Sequence, residues 1–109
     1  MSNIILILFL HWVGDFVFQS DWMAKNKSKS NRALLIHVAV YCIPLMFFGW
    51  KFALINCALH FCVDFLTSRV TSKLWEAKQV HWFFVVIGLD QFIHTACLLL
   101  TWAWIKAHA

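Results

Sequence analysis

Three times in 109 residues a histidine and an aspartate stand four positions apart inside an apolar stretch: His11 and Asp15, His60 and Asp64, Asp90 and His94. Residues four apart share one face of an α-helix. Imidazole and carboxylate together are donors that suit zinc, manganese or iron. Helical bundles build such sites from inward-facing side chains. An ionisable group inside a membrane span is costly and marks a functional site by default. Six of them, paired this way, point to a polar centre in an oily bundle and to a divalent metal held there, as one ion or two.

The elements that must position these residues follow from composition. Hydrophobic residues make up 62% of the chain and charged residues 13%, against about half and a quarter in a soluble domain. A bilayer-spanning helix needs about 20 mostly apolar residues, so the chain has room for four. The expected fold is all-α: a single domain over residues 1–109, a polytopic membrane bundle of four transmembrane helices near residues 3–22, 33–50, 52–75 and 80–105. The opening segment lacks a basic region and a small-residue cleavage site, so it reads as a retained first span. Pro44 is expected to kink the second. Cys42, Cys57, Cys62 and Cys97 form no C-x-x-C pair and read as packing residues.

Charge sorts by loop. Lys25, Lys27, Lys29 and Arg32 fall in the first connection, and Arg69, Lys73 and Lys78 around the third; Lys51 and Lys106 are alone on the other side. Seven against two places the first and third connections in the cytoplasm and both termini outside, in the periplasm of a bacterium. Trp22, Trp75 and Trp82 then fall at the inner interface and Trp50, Trp102 and Trp104 at the outer one, where aromatic belts sit. The net charge of +4 answers to loop orientation and anionic lipid headgroups rather than to nucleic acid.

The topology tests the polar pairs. Histidine precedes aspartate in the two descending spans, and the order reverses in the ascending one. All three histidines therefore share one level, with all three aspartates about 6 Å nearer the cytoplasm. His37 enters from the second span slightly below. Four histidines and three aspartates suffice for two metals, or for one with carboxylates behind its histidines. A metal-free network of His–Asp hydrogen bonds, or a proton relay, uses the same residues. Gln19 and Gln91 either orient ligands or bridge helices. Tyr41, one turn from His37, either supplies a proton or packs. His81 and His108 read as solvated.

The string His11-x-x-x-Asp15-Phe16-x-x-Gln19-x-Asp21-Trp22-Met23-Ala24-x-Asn26-Lys27, with His37, His60-Phe61-x-x-Asp64 and Asp90-Gln91-x-x-His94, resembles the small bacterial and phage membrane proteins catalogued as domain of unknown function 3307. The resemblance covers essentially the whole chain. It implies a bacterial inner membrane or phage origin and supplies no activity. Asp21, Asn26 and Lys27 belong to the pattern, which implies a role for them at the inner mouth. In ligand pattern alone the chain is also similar to the zinc-dependent phospholipase C and P1 nuclease group and to membrane-bound metal hydrolases.

The leading expectation is a membrane metal-dependent hydrolase acting on a phospholipid or isoprenoid phosphate at the inner leaflet. His11, Asp15, His37, His60, Asp64, Asp90 and His94 would hold the metal, zinc ahead of manganese or iron. Asp15 or Asp64 would serve as general base, and Asp21, Asn26, Lys27 and Arg32 would receive the substrate. A divalent-metal or proton transporter is the second expectation; only Asn56, Thr95 and Thr101 offer polar groups toward the outer side. A phage or bacterial interaction protein with a structural metal is the third. Four short helices enclose little volume, which favours a homo-oligomer.

Overall fold

The computed structural model describes residues 2–108, and no strand occurs among them. Helix α1 (Ser2–Trp12) runs directly into a π-helical turn at Val13–Val17. A short α2 (Asp21–Asn26) follows, then α3 (Asn31–Leu45), which tightens into a 3₁₀ turn at Met46–Phe48. The two longest helices are α4 (Trp50–Glu76) and α5 (Val80–Ala107).

Neighbouring long helices run antiparallel. Between α4 and α5, Phe52 meets Trp102, Thr67 bonds Asp90 and Trp75 meets Phe83. Between α3 and α4, Phe48 meets Phe52 while His37 meets His60. Helix α1 lies against α5, with His11 near His94 and Asp15 bonded by Gln91. Helices α1 and α4 therefore point one way and α3 and α5 the other, as the reversed order of the third His/Asp pair requires.

Burial is inverted relative to a water-soluble protein. Phe47, Leu66, Phe92 and Leu100 are two-thirds or more exposed, whereas His37, His60, Asp64 and His94 are no more than 2% exposed. In water the reverse holds; in lipid this is the expected arrangement. Three helices are long and apolar enough to cross a bilayer: Asn31–Phe48, Trp50–Glu76 and Val80–Ala107.

The first apolar helix, Asn3–Val17, departs from the expected span over residues 3–22. Its 15 residues rise only about 23 Å, short of a hydrocarbon core of about 30 Å. Two local causes end it. The π turn closes with Phe18 N–H donating to the Val13 carbonyl at 2.9 Å, which takes the backbone out of α-helical register. Ser20 then starts a new helix: its Oγ accepts from Met23 N–H at 3.2 Å, and Asp21 stands in the positive first turn. Pro44 lies in the last turn of α3, so the expected kink becomes the tightened end of that helix. Gly49 makes the following turn at φ +107°, a conformation open to glycine.

The π turn packs directly on α3. A Cβ on Gly14 would lie 3.1 Å from the carbonyl oxygen and Cδ2 of Tyr41 and 3.3 Å from its Cα. Two of those atoms are backbone and cannot rotate away. Gly14→Ala is expected to push the turn off α3 at an overpacking cost of about 1–3 kcal/mol, read as a thermal midpoint several degrees lower in detergent. An unchanged midpoint would show that α3 yields without cost.

Candidate metal centre

Each long helix contributes one polar stripe to the interior. Helix α4 presents Asn56, His60, Asp64 and Ser68, spaced four apart and all buried. Helix α5 presents Asp90 and His94, and α3 presents His37 and Tyr41. Asp15 comes from the π turn. That extra residue per turn is a frequent functional-site device, and here it brings the carboxylate beneath His11 toward α3 and α4.

Four donor atoms meet at the centre. His37 Nε2 lies 3.1 Å from Asp15 Oδ1 and 3.3 Å from Asp64 Oδ2. His60 Nε2 lies 3.5 Å from Asp15 Oδ1 and 3.3 Å from Asp64 Oδ2. The two imidazole nitrogens are 3.2 Å apart. A tetrahedral ion with ligand bonds of about 2.0–2.1 Å has ligand-to-ligand edges of about 3.3 Å. Five edges here match that figure. Charge-assisted hydrogen bonds would instead close to about 2.7–2.9 Å, so the spacing suits an ion better than a bare His–Asp network. Asp15, Asp90 and His94 form a second group whose donor atoms lie within 4.8 Å of one another. These buried groups can hold a metal ion.

Orientation comes from a chain of hydrogen bonds. His11 Nδ1 meets Tyr41 Oη at 2.8 Å, and His11 Nε2 meets Gln91 Oε1 at 2.8 Å. Gln91 Nε2 then donates to Asp15 Oδ2 and Asp90 Oδ2, both at 3.1 Å. Two carboxylates fix the amide as donor, so its oxygen must accept from His11 Nε2–H, and the Tyr41 hydroxyl must donate to Nδ1. Thr67 closes the far side, donating to Asp90 Oδ1 at 2.5 Å. His37 and His60 have no partner at Nδ1; His60 is held instead by stacking between Tyr41 and His94, at 4.0 and 3.9 Å between ring centres.

His11, expected among the ligands, therefore stands one step behind them. Both its nitrogens are taken, and Asp15 Oδ2 is 3.9 Å away. Asp15, His37, His60, Asp64, Asp90 and His94 do converge. Of the expected substrate residues only Lys27 arrives, with Nζ 3.2 Å from Asp64 Oδ2. Asp21 and Arg32 are exposed and stand outside the cavity over the site, and Asn26 turns back to the Trp22 carbonyl of its own helix. Thr67 joins the cluster through Asp90; three residues after Asp64, it lies on the same helix face.

The cavity measures about 790 Å³ and opens beside the α2–α3 turn. Asp15, Asp64, Asp90 and Gln91 line it, with Lys25, Lys27, Lys29, Glu76, Thr67, Ser68, Thr71 and Ser72, and Phe16, Trp75, Phe83, Phe84 and Ile87 supply its apolar part. The opposite end is closed by apolar packing of Ile7, Leu45, Phe52 and Leu98, with Phe48 and Trp102 against them. Asn56 and Thr101 offer nothing there, since they bond the carbonyls of Phe52 and Cys97 in their own helices.

A family model described as "Protein of unknown function (DUF3307)" matches residues 4–109. The chain belongs to that family. Comparison with curated proteins and with solved structures finds no match. The family assignment takes in every converging residue, from Asp15 to His94, together with Lys27 and Gln91. The likeness of ligand pattern to phospholipase C and P1 nuclease has no counterpart among these comparisons.

Gln91 offers a direct test of the orienting chain. Gln91→Leu keeps the size, removes both donors and leaves the Oδ2 atoms of Asp15 and Asp90 without the amide. Loss of such outer partners costs about 10–100-fold in metal affinity. We expect about tenfold, measured by competition with a chromophoric chelator; unchanged affinity would make Gln91 a mere helix bridge.

Proposed function

We propose that this protein is a membrane-embedded, metal-dependent hydrolase of lipid phosphoesters, working from the side of the membrane that carries the basic connections. The observation that carries this reading is the cavity: lysines and an apolar wall line it together with converging carboxylates. An amphiphile with a phosphate head fits those surfaces. Its chain would lie along Phe16, Phe83, Phe84 and Ile87, its phosphate between Lys27 and the donor cluster.

In this reading α1 dips into the bilayer as a short fourth segment, the basic connections face the cytoplasm of a bacterial cell, and both termini lie outside. Asp15, His37, His60 and Asp64 hold a zinc ion, with manganese or iron as the alternatives the donor set permits. Such an ion supplies a water made acidic enough to attack at neutral pH and a polarised phosphoryl oxygen. Lys27 receives the phosphate charge. Asp15 and Asp64, the general bases expected from sequence, have their oxygens taken up by His37, His60, His94 and Gln91. Asp90 has the most exposed side chain of the three, at 12% against 4% and 2%, yet Thr67, His94 and Gln91 engage its oxygens as well. The closed apolar end argues against a transport path through the bundle.

The test is turnover by detergent-purified, metal-loaded protein on a panel of phospholipids and isoprenoid mono- and diphosphates, with Asp64→Asn as control. Release of phosphate or a phosphorylated headgroup by wild type alone is expected. A folded, metal-loaded protein that cleaves nothing in the panel would remove the hydrolase reading.

A further inference from the structure

We infer that the centre is built for two metal ions at once, sharing the carboxylates of Asp15 and Asp64. This rests on the metal reading above and goes beyond it in number, arrangement and reaction class.

The evidence is how Asp64 is addressed. Its Oδ2 faces His37 and His60 at 3.3 Å each, while its Oδ1 faces His94 at 3.4 Å. The two oxygens of one carboxylate thus point to separate imidazole sets. The His60 and His94 rings are stacked 3.9 Å apart and only 14° from parallel, and each turns its Nε2 toward this carboxylate. Two parallel imidazoles binding through equivalent nitrogens place their ions about one ring separation apart, and paired catalytic ions sit about 3.5–4 Å apart.

Asp15 lies between the two sets: its Oδ1 belongs with His37 and His60, its Oδ2 accepts from Gln91, and the residue also groups with Asp90 and His94. His94 Nε2 lies 3.1 Å from Asp90 Oδ1, so the second set is Asp15, Asp90 and His94, with Asp64 Oδ1 3.4 Å from His94. The three buried aspartates, with the Lys27 ammonium beside Asp64, are neutralised by one divalent ion, and a second ion leaves positive charge to meet an anionic substrate. Paired ions stabilise both the attacking and the leaving oxygen of an in-line displacement, which is the chemistry of phosphoester cleavage.

The experiment is titration of metal-free, detergent-purified protein with Mn²⁺, followed by paramagnetic resonance. The expected result is about two ions per chain with the spectrum of an exchange-coupled pair, while His94→Ala, or Asp90→Asn should that variant not fold, binds about one ion with an uncoupled spectrum. Saturation of the wild type at one ion would overturn the pair and leave the hydrolase reading standing. Two uncoupled ions would overturn the shared carboxylates. No bound ion would overturn the pair and the metal-dependent reading together.

Discussion

Removing bound metal is expected to lower the thermal midpoint of the detergent-purified protein by on the order of 15 °C. An ion held at a thousand times its dissociation constant contributes about 4 kcal/mol to the folded state, and each kcal/mol moves the midpoint of a chain this size by roughly 4–8 °C. The source of the effect is visible in the centre. Asp15, Asp64 and Asp90 are at most 9% exposed, and Lys27 is the one lysine or arginine whose amine reaches them among the described residues. Buried carboxylates without compensation are costly. A metal-free network would behave oppositely: its contacts do not depend on an ion, so a chelator would leave the midpoint where it was. Differential scanning fluorimetry with and without chelator separates the two, and re-addition of zinc or manganese should restore the loss.

Much of this centre is legible in the sequence because helical periodicity and membrane topology act together. The four-residue spacing fixes the face, and the reversed order at Asp90 and His94 fixes the level. The shared face is seen in the burial of all six residues, and His60 stacks on His94 while the aspartates fall into two overlapping donor groups. The boundaries of α4 and α5 follow the apolar pattern to within two residues of the expectation. What escaped the pattern is local. Nothing in Val13-Gly-Asp-Phe-Val17 announces a π turn, yet that turn aims Asp15 and leaves His11 behind, facing Tyr41 and Gln91. A four-residue spacing states that His11 and Asp15 share a face; it does not state which of them joins the donor cluster.

Lys27 and Arg32 show a second limit. Both stand in the basic connection and look equivalent in sequence. Ser30 caps α3 by accepting from Ala33 N–H at 3.3 Å, which places Arg32 in an exposed first turn. Lys27 follows directly on α2, whose register points it inward over Asp64. Capping decides which charge faces the cavity, and cap geometry is weakly specified where Ser, Asn and Lys alternate through residues 25–32.

Lys27→Met is expected to move two measurable quantities in opposite directions. Lys27 Nζ shares Asp64 Oδ2 with His37 and His60 at 3.2–3.3 Å, so its ammonium competes with an ion for the same oxygen. Removing that charge should tighten metal binding about tenfold. Tenfold is about 1.4 kcal/mol, well within what a unit charge a few ångströms away contributes at an effective dielectric of about 20. The Lys27 side chain is 19% exposed and lines the cavity. Displaced by an ion, it stays in the cavity, where its charge can meet the phosphate of an incoming amphiphile. Loss of one such preorganised donor costs about 10²–10³ in turnover, so kcat/KM on a phosphorylated lipid should fall about a hundredfold while metal affinity rises. A structural ion pair predicts something else: Asp64 left alone, a less stable protein, and both quantities falling together. Chelator competition and a phosphate-release assay on one preparation of the variant distinguish them, because only a lysine that yields its carboxylate to metal and its charge to substrate gives opposite signs.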